Sequence, residues 1–237
     1  MRRITHHTVF SILTFLFIFI SCMNDEDLPT EFLDQSFTTD NQILGKTGID
    51  PENTANPFDS VGIYHNLYLE TFWENFADPV SITDAINKIN ILTGSRQSKI
   101  SANNPSQKVL DILNDPVNEF EDALEQTLNS SIAKVDLIDF IDFLDLNNHQ
   151  EFTYLYYFIT GFEDEVLNEA MYSAEDKRII LCLTSFIRHG IYLKKRRDDK
   201  DWDISIASRT GTLLGAAVDE QTAVYWALLM GISDYAF

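Results

Sequence analysis

The sequence predicts an all-α protein, a single helical bundle of about seven or eight helices on a flexible N-terminal tether. Three observations carry this. After residue 56, apolar residues recur at three-to-four spacing, the period of a helix with one buried face. Ser, Thr and Asp stand ahead of several of these segments, with an acidic residue three positions on, where helices are capped. Finally, 45% of the residues are apolar, with 17 Phe and 9 Tyr, enough for a core and too many for a disordered chain.

Residues 1–21 read as a signal segment, 22–55 as an acidic tether rich in Asp, Asn, Thr and Gly, and 56–237 as the helical domain. Asn56-Pro57 makes a turn, and Asp59 or Ser60 caps a helix running to about Phe76. Val61, Tyr64, Tyr68, Phe72 and Phe76 form its apolar face, and Asp78-Pro79 ends it. Ser81-Ile82-Thr83-Asp84 is a capping box with Asp in place of Glu, opening a helix to about Leu92. A polar loop fills 94–105. Helices follow at 106–114 and 117–129, parted at Pro116, the second burying Val117, Phe120, Leu124 and Leu128.

Residues 133–146 are helical, with Ile138, Ile141 and Leu144 among the apolar positions. Asn148-His149-Gln150-Glu151 reads as a further capping box. The aromatic run 152–159 has strand-like composition, but that cap and the acidic stretch 163–169 favour helix. Ser173-Ala174-Glu175-Asp176 caps the longest helix, reaching about Arg197, with Ile180, Leu183, Ile187 and Ile191 inward and cations in its last turn, where they complement the carbonyl dipole. Residues 204–237 are the most apolar part of the body, divided by Asp219-Glu220-Gln221 into two runs too short to cross a bilayer. Ala207, Gly211 and Gly215 place small residues at every fourth position, so the expected structure is a closely packed, buried helical hairpin.

The N-terminus sets the location. Arg2 and Arg3 precede an apolar run over 9–20, which has the length of a secretory core rather than of a membrane span, for which roughly 20 residues are needed. Phe19-Ile20-Ser21-Cys22 resembles the lipobox of bacterial lipoproteins, with Phe at its first position. The resemblance implies cleavage after Ser21 and lipidation of Cys22. Asn24-Asp25-Glu26-Asp27 resembles the acidic export signal of Bacteroidetes lipoproteins, which implies an outer-membrane anchor facing the cell exterior. Asn56-Pro57-Phe58-Asp59-Ser60-Val61-Gly62-Ile63-Tyr64-His65-Asn66 is similar to the NPYDxVGxxHN opening of small uncharacterised Bacteroidetes lipoproteins. That likeness implies the same location and fold class and no particular activity.

Charge narrows the partners. The chain carries −20, from 37 acidic and 17 basic residues. Such a surface repels nucleic acid and anionic headgroups, so the membrane contact is expected through lipid on Cys22 and the further partner is an unknown protein or glycan. With Cys22 lipidated, Cys182 lacks an intramolecular partner and packing alone holds the body together.

The candidate ligand contacts are His65 and Asn66 beside Trp73, a polar pair against an aromatic wall; the competing reading is a packed core histidine. Asp136, Asp139, Asp142 and Asp145 recur every three residues, so on a helix they spiral by about 60° apiece and form a solvated face rather than one cluster. Asp199, Asp201 and Asp203 begin a calcium-loop pattern, but Ile204 replaces its Gly and Thr210 its final Glu. Asp145, Asn147 and His149 fail in the same way. Cys182 and His189 lie about 10.5 Å apart along one helix, too far for a thiolate–imidazolium pair. Nucleophile-elbow, zinc-protease, phosphate-loop and dinucleotide motifs are all missing, so no catalytic residue, metal or cofactor is expected. The favoured function is a non-enzymatic surface binding module. The alternatives are a hydrolase of extracellular or periplasmic polymers, which converging carboxylates would favour, and a membrane-active effector, which an exposed C-terminal hairpin would favour.

Overall fold

The computed structural model describes residues 49–94, 105–196 and 204–237. Ser21, Cys22, most of the tether and the Asp199, Asp201 and Asp203 run lie outside the described residues. Among those described, the chain forms nine α-helices and no strand. They are α1 (Ser60–Asn75), α2 (Ile82–Thr93), α3 (Pro105–Asn114), α4 (Pro116–Thr127), α5 (Ser131–Leu146), α6 (Phe152–Asn168), α7 (Ala174–Arg196), α8 (Ile206–Ala216) and α9 (Glu220–Ala236). The all-α class is as the sequence predicts, with one helix more than the higher count.

Several helix starts are those the sequence marks. Ser81 Oγ accepts from the Asp84 amide at 3.1 Å, and the Asp84 carboxylate accepts from the Val80 amide at 3.0 Å. Ser173 and Asp176 form the full reciprocal box, at 3.0 and 3.2 Å, and Asp176 also takes the Asn129 amide at 2.7 Å, tying the end of α4 to the start of α7. Asp219 caps α9 through the Thr222 amide at 2.7 Å. Gly94 ends α2 in the left-handed conformation at φ 65°, which costs glycine nothing.

Packing corrects other expectations. Asp59 does not cap α1; its carboxylate is engaged elsewhere. The box at 148–151 does not form, and Glu151 precedes α6 without a side-chain cap. On α1 the buried residues are Val61, Gly62, His65 and Phe72, whereas Tyr64 is exposed and lies on Tyr68. The buried positions of α4 are Ala123 and Leu124, with Leu128 just beyond, while Val117 is exposed. Ile138 is exposed on α5, whose inner face is Leu137, Phe140, Ile141 and Leu144. In each case the apolar arc is wider than the buried one, and the neighbouring helices choose which part is covered.

α7 is the axis. Every residue from 179 to 190 is buried, because α1, α6 and α8 all pack on it. The C-terminal hairpin is buried as expected, with α8 against α9 along its length and α4 on the outer side of α8. A Cβ on Gly211 would meet the Trp226 carbonyl oxygen at 2.7 Å, and one on Gly215 the Thr222 carbonyl oxygen at 2.4 Å, so both glycines are required by backbone contact. Among the described residues no helix is long and apolar enough to cross a membrane.

Candidate functional site

Two polar features stand apart from the apolar core. The first is built by the segment before α1. Arg188, on the buried stretch of α7, is fully enclosed, as is Glu163 on α6. The Arg188 guanidinium donates to Asp59 at 2.5 Å, to Glu163 at 3.1 Å and to the Pro51 carbonyl oxygen. Glu163 also accepts from Asn53 at 2.7 Å, Asn56 at 2.8 Å and Thr184 at 2.9 Å. Asp59 lies 3.1 Å from His189 Nε2, and Ser185 Oγ accepts from the Gly62 amide at 3.0 Å. A Cβ on Gly62 would stand 2.5 Å from the Ser185 carbonyl oxygen, so glycine there lets α1 lie against α7.

Burial pushes the Asp59 carboxyl up, but the His189 hydrogen bond and the Arg188 charge outweigh it and hold it at about 2. These bonds engage the Arg188 guanidinium and both carboxylates with one another in an enclosed place. The cluster is therefore a clamp that fixes residues 51–62 on α6 and α7, and residues 51–55, which have the composition of the tether, are bonded into the body. No motif marks Glu163 or Arg188 in the sequence. The signal they do carry is an ionisable residue at an apolar-period position: Glu163 follows Phe152, Leu155 and Ile159 in register, and Arg188 falls within an apolar helix.

His65, Asn66 and Trp73 are not gathered into one site. His65 is buried, its ring edge-on to Phe186 at 4.7 Å and its Nδ1 3.2 Å from Asn66 Oδ1. Asn66 donates to the His189 carbonyl oxygen at 2.9 Å. Trp73 is two helical turns further on, against Phe72 and Tyr235. Burial, with the nearby His189 and against the Asn66 bond, lowers the His65 pKa to about 4. Unfolding restores an ordinary value near 6.5, so the unfolded chain binds a proton that the folded one refuses between those values. Stability from this group is complete above pH 6.5 and falls by about 3 kcal/mol as pH drops to 4. Urea unfolding at pH 7 and pH 4 should show that loss in the wild type and much less of it in His65→Leu; equal losses would mean His65 is protonated in the fold.

The second feature is a groove of about 610 Å³ between α5 and α6. Rings alternate between the two helices: Phe162 lies on Phe140 at 4.3 Å, Phe140 on Phe158 at 5.5 Å, and Phe158 on Phe143 at 3.9 Å, all within 25° of parallel. This ladder of rings, drawn from both helices, lines the groove. The rim is Asp136 and Asp139 from α5, Glu165, Asn168 and Glu169 from the end of α6, and Tyr172 beyond it. Tyr172 donates to Asp136, and burial and that bond push its phenol up, so it remains a donor at neutral pH.

The aspartate spiral thus divides by direction, as 60° steps require. Asp136 and Asp139 face the groove, Asp142 is exposed away from it, and Asp145 pairs with Arg209 of α8 through two bonds at 2.8 and 3.0 Å. No described cluster of His, Cys, Asp or Glu could hold a metal ion. Cys182 is buried and unbridged, with burial pushing its thiol well up.

Fold and groove together define a helical-bundle protein with an acidic, aromatic-floored cleft and a clamped N-terminal strap. No protein-family model, no curated protein and no solved structure matches the chain.

Proposed function

We propose that the protein is a lipid-anchored surface binding module whose ligand seats in the α5–α6 groove. The observation that carries this reading is the groove itself. Its volume falls in the range of small-ligand sites, and a mostly apolar floor with a few polar groups at the rim is how such sites are made. The lipobox-like Phe19-Ile20-Ser21-Cys22 and the acidic residues after it support an outer-membrane anchor facing the exterior. The enclosure of α8 and α9 weighs against a membrane-active tail.

Carbodiimide labelling of carboxylates on intact cells, compared with purified protein, tests the groove. Labelling of Asp139 and Glu165 should fall on cells, where ligand is present, while Asp142 and Asp164, exposed outside the groove, should label equally in both. Equal labelling of all four would reject the reading. The anchor has its own test. Cys22→Ser should abolish labelling by a palmitate analogue and release the protein from membranes; equal labelling of wild type and variant would end the lipoprotein assignment.

Carboxylates brought to one cleft also support the hydrolase alternative. Turnover of a cell-surface or extracellular polymer that disappears in Asp139→Asn/Glu165→Gln would select it.

A further inference from the structure

We infer that the groove is selective for an organic cation carrying an apolar body, such as an arylalkyl amine. This rests on the groove being the binding site and names the class of ligand it takes. Three features of the cleft lead there.

The first is uncompensated charge. Asp136 is occupied by Tyr172, and Glu169 accepts from the Met171 amide at 2.8 Å. Asp139 and Glu165 are both exposed, and among the described residues neither has a hydrogen-bond or ion-pair partner. No Lys, Arg or His lines the groove. Elsewhere on the body some carboxylates pair with cations, Asp59, Asp84, Glu119, Glu125 and Asp145 among them, but no cationic side chain lies within the groove.

The second is the helix end. Glu165 and Glu169 stand at the last turn and cap of α6, where the exposed carbonyls already carry partial negative charge and where cations, not carboxylates, are favoured. Lys177 bonds one of these carbonyls, that of Leu167, at 2.7 Å. The carboxylates and the remaining carbonyl end leave a negative potential at one end of the groove, on a low-dielectric wall that sharpens it.

The third is the floor. Because the phenylalanines stack face to face, their faces are spent on one another. What they offer a ligand is chiefly ring edges, whose quadrupole is positive, so cation–π attraction does not hold the charge. The division of labour follows. An apolar body lies on the ladder, and its cationic end reaches Asp139 and Glu165. An anion meets the carboxylates and is refused. A polyamine without an apolar body leaves the floor unused.

Calorimetry with three probes sharing one body tests this: 4-phenylbutylammonium, 4-phenylbutan-1-ol and 4-phenylbutanoate, titrated into the full chain in zwitterionic nanodiscs with empty discs as the blank. Each partly exposed carboxylate is expected to contribute about threefold, so the amine should bind about tenfold more tightly than the alcohol, and the acid should bind worst. In Asp139→Asn/Glu165→Gln the amine should fall to within about twofold of the alcohol, whose own affinity should not change; circular dichroism checks that the surface variant is folded. Equal affinity for amine and alcohol, or a preference that survives the double variant, would overturn the cation inference while leaving the groove as an apolar site. Binding of all three probes that is insensitive to both Asp139→Asn/Glu165→Gln and Phe158→Leu, or no binding of any, would overturn the groove reading along with it.

Discussion

Replacing Arg188 with Met is expected to cost the body about 3–5 kcal/mol, the loss typical of a buried ion pair stripped of one partner. The guanidinium is wholly enclosed and stands between Asp59 and Glu163, and methionine fills its stem but supplies no donor. Two carboxylates are then left facing each other in a site that water cannot easily reach. The loss should be relieved in part by Glu163→Gln in the same chain. Gln keeps one oxygen for Asn56 and Thr184 and gives up the acceptor that Asn53 uses, while discarding the uncompensated charge, so the relief is partial. Urea unfolding of the two single variants and the double one forms a cycle in which the double variant should be more stable than the summed costs imply. Simple additivity would mean that Arg188 and Glu163 do not share a site. Because residues 51–56 are held by this cluster, limited proteolysis near Glu52 should accelerate in Arg188→Met well before global unfolding.

The second large effect separates two glycines by sign. Gly215→Ala should destabilise by about 1–3 kcal/mol, since the added methyl group meets the Thr222 carbonyl oxygen and the Ala223 Cα at 2.4 and 2.6 Å, backbone that cannot rotate away. Gly215→Leu should be worse. Gly161→Ala, in the exposed middle of α6 with nothing within 4 Å of its Cβ, should instead stabilise by about 0.5–1 kcal/mol through the entropy glycine loses on folding. Thermal or urea midpoints read both. Stabilisation by Gly215→Ala would mean that α8 and α9 are not in contact at that level.

Much of the fold is legible in the chain because helices announce themselves locally. Ser81 and Ser173 each cap where their spacing to the next acid requires. The small-residue spacing of Gly211 and Gly215 encodes the close approach of α8 and α9. Burial direction is less legible. Tyr64, Val117 and Ile138 fit a helical stripe as well as the residues actually covered, and only the neighbours' positions decide among them. The clamp is half visible. The segment from Asn56 to Asn66 stands out, but its partners Glu163 and Arg188 lie over a hundred residues away, and sequence spacing says nothing about that distance. The groove is the least legible. Spacing places Asp136 and Asp139 on a spiral, but their convergence with Glu165 depends on a ladder of rings shared between two helices. The aromatic run 152–159 reads as helix, but nothing in it declares that Phe158 stacks on Phe140 and Phe143 of α5.

Whether ligand enters between α5 and α6 is decided most directly by amide chemical-shift mapping of the full chain in nanodiscs during titration with 4-phenylbutylammonium. Shifts are expected to gather on the groove faces of α5 and α6, around Asp139, Phe143, Phe158 and Glu165, and to extend to Tyr172. Shifts centred on His65, Asn66 and Trp73, on the α8–α9 hairpin, or absent altogether would contradict a ligand site in the groove.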